Sequence, residues 1–186
     1  MFESREKLRA GIAATAVAVA LAMAPAAVQA YSCNGGSTGG MSSSECTPTV
    51  AGAKARLVGA KAIPPKSAPL RVKRVIWAAN RIEEKPYRYG GGHARWNDSG
   101  YDCSGAVSYA LHGGDFLDSP LPSGSLMRWE RPGLGKWITV FANGGHAYAV
   151  IAGLRWDTSM TPGDGPGWSK VMRSRAGFTA RHPRGF

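Results

Sequence analysis

Apolar residues recur at helical spacing from residue 70 to residue 84. Leu70, Val72, Val75, Ile76, Ala79 and Ile82 share one stripe, and Pro86 closes the segment. This predicts an amphipathic helix. A second helix is predicted from Cys103 to Leu111, where an apolar run follows Asp102, a residue suited to capping a helix N-terminus, and Gly113 and Gly114 supply a stop. Between the two lies "YRYGGGH", a glycine-rich loop. Residues 113–135 are rich in Gly, Pro and Ser and read as an irregular connection. Two segments, "KWITVFA" and "HAYAVIAGLRWDTS", then read as strands, the second bending into a hairpin near Ala152 and Gly153. No internal repeat is present. Residues 69–186 suffice for one domain with one core.

The chain ahead of this region has a different character. Arg5, Lys7 and Arg9 precede an apolar run over residues 10–24, and Val28, Gln29 and Ala30 form a small-x-small pattern. That is the layout of a secretory signal peptide over residues 1–30, cleaved near Ala30, and it predicts a secreted or wall-associated protein. No later segment is long and apolar enough to span a bilayer. Residues 31–68 are rich in Gly, Ser, Thr, Ala and Pro with few large apolar groups, and they read as a flexible basic tether.

Composition adds charge. The chain of 186 residues carries 23 Lys and Arg against 12 Asp and Glu. Loss of the leader, with three basic and two acidic residues, leaves +10. Such a field favours anionic surfaces. For an exported protein these are cell-wall polymers or membrane lipids. No nucleic-acid recognition motif accompanies the charge. No His/Cys/Asp cluster has metal-ligand spacing, so neither metal nor cofactor is expected, and the chain is expected to be a monomer.

Export also changes the reading of three cysteines. Cys33 and Cys46 bracket "CNGGSTGGMSSSEC", a loop that closes easily as a disulfide, and Cys103 is then left as a free thiol. At the first turn of a helix, unpaired N–H groups and the helix dipole favour its thiolate. A nucleophilic cysteine needs a base and a group to orient it. His146, after Gly144 and Gly145 at the head of an apolar strand, is the candidate base. Asp157, 11 residues on, is the candidate orienting group. A two-residue turn at Ala152 and Gly153 would place Asp157 opposite Tyr148, diagonal to His146; an odd-length turn would send it to the other face. His93 reads as a polar loop position, and His182, in the basic tail, is a weaker competitor for the third place.

"PYRYGGG", "DCSGAVSYAL" and "GGHAYAVIAG" together resemble the NlpC/P60 family of cell-wall cysteine peptidases over about residues 70–160. The resemblance implies an α+β, papain-like fold, with helices packed on an antiparallel sheet and the nucleophile at a helix N-terminus. It implies Cys103 as nucleophile and His146 as base, Tyr87 near the oxyanion, and Asp102 and Ser104 holding the amine end of the substrate. The implied substrate is a peptidoglycan stem peptide, cut next to D-glutamate. The chain departs from the family in the spacing from His146 to Asp157, one residue short, and in the strand before the base, where "GKWITVFANGG" stands. No recognisable wall-binding module accompanies the domain. Two rival readings remain: an amidase or acyl transferase on the same fold, and a wall-binding protein with a degenerate cleft.

Overall fold

The computed structural model describes residues 48–160 and 165–186. The expected leader, the cysteine pair at 33 and 46, and most of the tether lie outside them. Among the described residues no helix is long and apolar enough to cross a membrane.

Helix α1, Leu70–Ile82, buries Val72, Val75, Ile76, Ala79 and Ile82, the stripe its periodicity marks out. Helix α2, Cys103–Gly113, is buried along almost its whole length. Its small residues allow this. A Cβ on Gly105 would run into the Gly91 carbonyl oxygen, and one on Gly113 into the Ala78 methyl. Glycine at these positions lets α2 touch both the glycine loop and α1. A short helix, α3 (Ser123–Leu126), follows within the irregular connection.

The main sheet is antiparallel and has six strands in the order β3-β8-β4-β5-β6-β7. Its members are β3 (Arg131–Pro132), β4 (Ile138–Ala142), β5 (Ala147–Ile151), β6 (Leu154–Asp157), β7 (Gly167–Ser169) and β8 (Thr179–His182). The architecture is α+β: α2 lies on β5 and β6, and α1 packs on α2. Trp156, fully buried, fixes that contact, its indole N–H donating to the Ala106 carbonyl at 3.1 Å. Trp156→Ala is expected to cost about 3–5 kcal/mol of stability, from the cavity and the orphaned carbonyl together. Urea unfolding measures it, and a loss below about 1 kcal/mol would mean that α2 is held elsewhere.

Since Trp156 faces α2, its neighbours Arg155 and Asp157 point to the opposite face of the sheet. That second face is also covered. Phe141 stacks on Tyr148, with ring centroids 4.9 Å apart, and Phe178 meets Tyr148 edge-on. Arg173 lies over both Tyr148 and Phe178. Every residue of β4 is therefore buried.

Where a plain tether was expected through residue 68, its described end folds. Strands β1 (Arg56–Val58) and β2 (Lys61–Ile63) form a hairpin through Gly59 and Ala60. Polar contacts dock it: the Asn80 side chain accepts from Ala62 N–H at 3.0 Å and donates to the Ala62 carbonyl at 2.8 Å. Trp168 donates to the same Asn80 oxygen. A hairpin held by side-chain amide contacts leaves little trace in a hydrophobic pattern. Strands β3, β7 and β8 escape periodicity for a different reason, being too short to show it.

Candidate active site

Asp102 starts α2. Its backbone is extended, and its side-chain Oδ1 accepts from Gly105 N–H at 2.7 Å, which satisfies one of the helix's unpaired donors. Cys103 follows as the first helical residue, a buried free thiol. The backbone N–H of Cys103 has no acceptor within the helix, a consequence of its position in the first turn.

His146 is presented by a four-residue turn between β4 and β5, whose ladder closes at Ala142 opposite Ala147. Asn143 holds this turn. Its side-chain oxygen accepts from Gly145 N–H at 3.0 Å and His146 N–H at 2.8 Å, and its own N–H donates to the His146 carbonyl at 2.9 Å. The "NGG" that precedes His146 is a turn signal, but the side-chain clamp was not foreseen.

The β5–β6 register pairs Ile151 with Leu154, Val150 with Arg155 and Ala149 with Trp156. The connecting turn is therefore Ala152 and Gly153, both at positive φ, the conformation that a two-residue hairpin turn favours. This is the even-length condition, and Asp157 comes to the His146 face. His146 Nε2 lies 2.8 Å from Asp157 Oδ1.

The Asp157 side chain is fully buried and densely engaged. Thr158 N–H donates to Oδ1 at 2.8 Å, and the Ser159 hydroxyl lies 3.1 Å from both oxygens. Arg173 Nη1 lies 3.2 Å and Arg155 Nε 3.5 Å from Oδ2. Burial alone would raise this carboxyl's pKa. The hydrogen bond and charge of His146, with Arg173 and Ser159, hold it below the ordinary value instead. Sequence reading missed Arg173, which sits 16 residues further on in a basic stretch with no pattern to mark it.

The same opposition sets the other two groups. Burial would push the Cys103 thiol up, but a hydrogen bond from His146 and one from the Ala147 N–H bring it below its usual range. Burial would lower His146, but hydrogen bonds to Asp157 and Cys103 raise it to about 9. With Nε2 committed to Asp157, Nδ1 is the nitrogen left for the thiol. Cysteine, histidine and aspartate thus form a triad-like chain that favours a thiolate–imidazolium pair.

Tyr87, 44% exposed, reaches the site because residues 86–88 run beside the entry to α2. Tyr101 N–H donates to the Pro86 carbonyl and Arg88 N–H to the Tyr101 carbonyl, each at 3.1 Å. Partial burial, then the negative charges of Cys103 and Asp102, raise the Tyr87 phenol. It stays protonated and can donate.

Asp102 and Ser104 flank Cys103, but they are turned toward each other and toward His93. The Ser104 hydroxyl lies 3.2 Å from Asp102 Oδ1, and His93 Nε2 lies 3.0 Å from that oxygen and 3.2 Å from Ser104 Oγ. His93, read from sequence as a loop position, is thus part of the site's wall. His182 is not: it lies at the end of β8 away from the Thr179–Ala142 pair, with Nδ1 3.2 Å from the Gly133 carbonyl. Among the described residues no group of three His, Cys, Asp or Glu side chains is placed to hold a metal ion.

A cysteine at a helix N-terminus, against a histidine held by a buried carboxylate at the end of an antiparallel sheet, is a papain-like hydrolytic arrangement in its general form. No protein-family model and no curated protein matches this chain.

Proposed function

We propose that this chain is an exported cysteine peptidase that hydrolyses peptidoglycan stem peptides next to D-glutamate. The observation that carries the reading is His146, bound through Nε2 to buried Asp157 at 2.8 Å and electrostatically coupled to Cys103 at the start of α2. That chemistry supports acyl transfer from a carbonyl substrate. The substrate rests on the "PYRYGGG", "DCSG" and "GGH" elements and on the basic charge, and export on the residue 1–30 pattern.

In the proposed reaction the Cys103 thiolate attacks the scissile carbonyl carbon. The oxyanion forms against the Cys103 N–H, with the Tyr87 hydroxyl nearby as a second donor. His146 gives its Nδ1 proton to the departing amine as the C–N bond breaks, leaving a thioester. The now neutral imidazole takes a proton from water, hydroxide adds to the thioester, and thiolate leaves as the acid is released. Asp157 keeps the ring oriented and stabilises its charged form throughout.

The two shifts give a pH dependence with a definite sign. Below the depressed Cys103 pKa the thiolate is lost; above about 9 the imidazolium loses its proton. The rate kcat/KM is therefore expected to be bell-shaped, with the alkaline limb falling near pH 9. Iodoacetamide alkylation of Cys103 should already be fast well below the ordinary thiol pKa of about 8.5. A midpoint at or above that value would remove the ion pair from the mechanism.

The defining experiment is a digest of purified stem peptides by the mature protein beside Cys103→Ala, read by mass spectrometry. Fragments from the wild type alone, gaining one water, support the reading and identify the bond. Transfer of the acyl group to another amine, without added water, would replace hydrolase by acyl transferase. Retention on the wall with no fragments would replace it by a binding protein.

A further inference from the structure

Beside Cys103 lies a carboxylate whose capacity the chain itself uses up. Asp102 Oδ1 lies 2.7 Å from Gly105 N, 3.0 Å from His93 Nε2 and 3.2 Å from Ser104 Oγ, and Oδ2 accepts from Gly90 N–H at 3.1 Å. An ionised carboxylate offers about four acceptor sites. Four donors of this chain occupy them.

The Asp102 side chain is 12% exposed and that of His93 25%, so the imidazole is the more outward of the two. Three of the four donors cannot withdraw cheaply. Gly105 N–H is the capped donor of α2, Gly90 N–H belongs to the loop that packs on that helix, and Ser104 is buried within its first turn. A substrate ammonium brings three donors and a full charge. Desolvating it here without free acceptors for those donors is unfavourable. The ring itself has one unspent group. With Nε2–H given to Asp102, Nδ1 of His93 is left without a hydrogen-bond partner among the described residues, and in the neutral ring it is a lone pair. One lone pair suits one amide N–H.

We propose that His93 is a specificity-determining residue that shields Asp102 and admits peptides whose amino end is acylated. Stem peptides still joined to their glycan are of this kind; peptides already released with a free ammonium end are not. The inference rests on the peptidase reading and reverses the amine contact that the resemblance assigned to Asp102 and Ser104.

The test uses one synthetic stem peptide in two forms, N-acetylated and with a free amino terminus, and compares kcat/KM by mass spectrometry. The wild type is expected to cleave the acetylated form at least as well as the free one. His93→Ala, which uncovers Asp102, is expected to shift the ratio toward the free amine by about tenfold, the worth of one charge-assisted hydrogen bond. His93→Gln, which can still donate to Asp102, is expected to keep the wild-type ratio. A wild-type preference of tenfold or more for the free amine overturns the inference while leaving the peptidase standing, and so does an unchanged ratio in folded His93→Ala. Cleavage of neither form by the wild type overturns both. If His93→Ala does not fold, the wild-type ratio and His93→Gln still decide.

Discussion

Cys103→Ala is expected to reduce stem-peptide hydrolysis by more than about a thousandfold while the domain still folds. The kinetic effect is large because no neighbour can replace the nucleophile. Asp157 is buried behind His146, and the Ser104 hydroxyl is turned toward Asp102 rather than held by His146. The stability effect is small because alanine suits a helix, and the loss is one sulfur at the cleft edge rather than in the central cluster. Removing the thiolate also removes one partner of the imidazolium, so His146 is expected to titrate at lower pH in this variant. Turnover, urea unfolding and the NMR titration of His146 read the three effects separately. Undiminished turnover would end the peptidase proposal; a collapse of stability would mean that Cys103 serves packing first.

Asp157→Ala is expected to act on both stability and rate. The carboxylate is the shared partner of His146, Arg173 and Arg155, and the buried Arg155 Nε, which makes no hydrogen bond among the described residues, is compensated only by this ionic contact. Removing one member of a buried charge cluster leaves the rest uncompensated, at about 3–5 kcal/mol. Arg173 can turn toward water, which places the expectation near the lower bound. In the rate, the loss is expected to be smaller than in His146→Ala, since the base remains and only its orientation and charged form lose support. Asp157→Asn separates the roles. It keeps the shape but withdraws the charge, so the alkaline limb near pH 9 is expected to move down. Equal kinetic losses in Asp157→Ala and His146→Ala would show that orientation is as limiting as proton transfer.

The parts of the molecule legible in the sequence are those governed by period and by parity. The buried stripe of α1, the Asp102 cap on α2 and the strands around His146 each follow from local pattern. The meeting of His146 with Asp157 follows from counting residues through a turn. Arg173, Asn143 and the His93–Asp102 contact were not legible, because each depends on where the chain returns in space. The β1–β2 hairpin was hidden for another reason. Its docking runs through Asn80 and backbone groups, and a reading that weighs apolar content sees only a polar stretch. The substrate-facing surface is where local rules say least, since its side chains are placed by other loops.

The Ala152–Gly153 turn has a consequence for how this chain tolerates changes in length. Surface turns ordinarily accept inserted residues at little cost, since loop closure depends only weakly on length. This one lies about 20 Å along the strand from His146, touching no part of the cleft. A residue added beside Gly153 can be taken up by a longer loop while the β5–β6 register is kept, and Asp157 then stays on the His146 face. A residue added or lost inside β6, between Leu154 and Asp157, has no such outlet: it would carry the carboxylate to the face occupied by Trp156, and the histidine would lose its partner. Length change at the turn is therefore expected to spare the contact, and length change within the strand to leave a folded but inert copy.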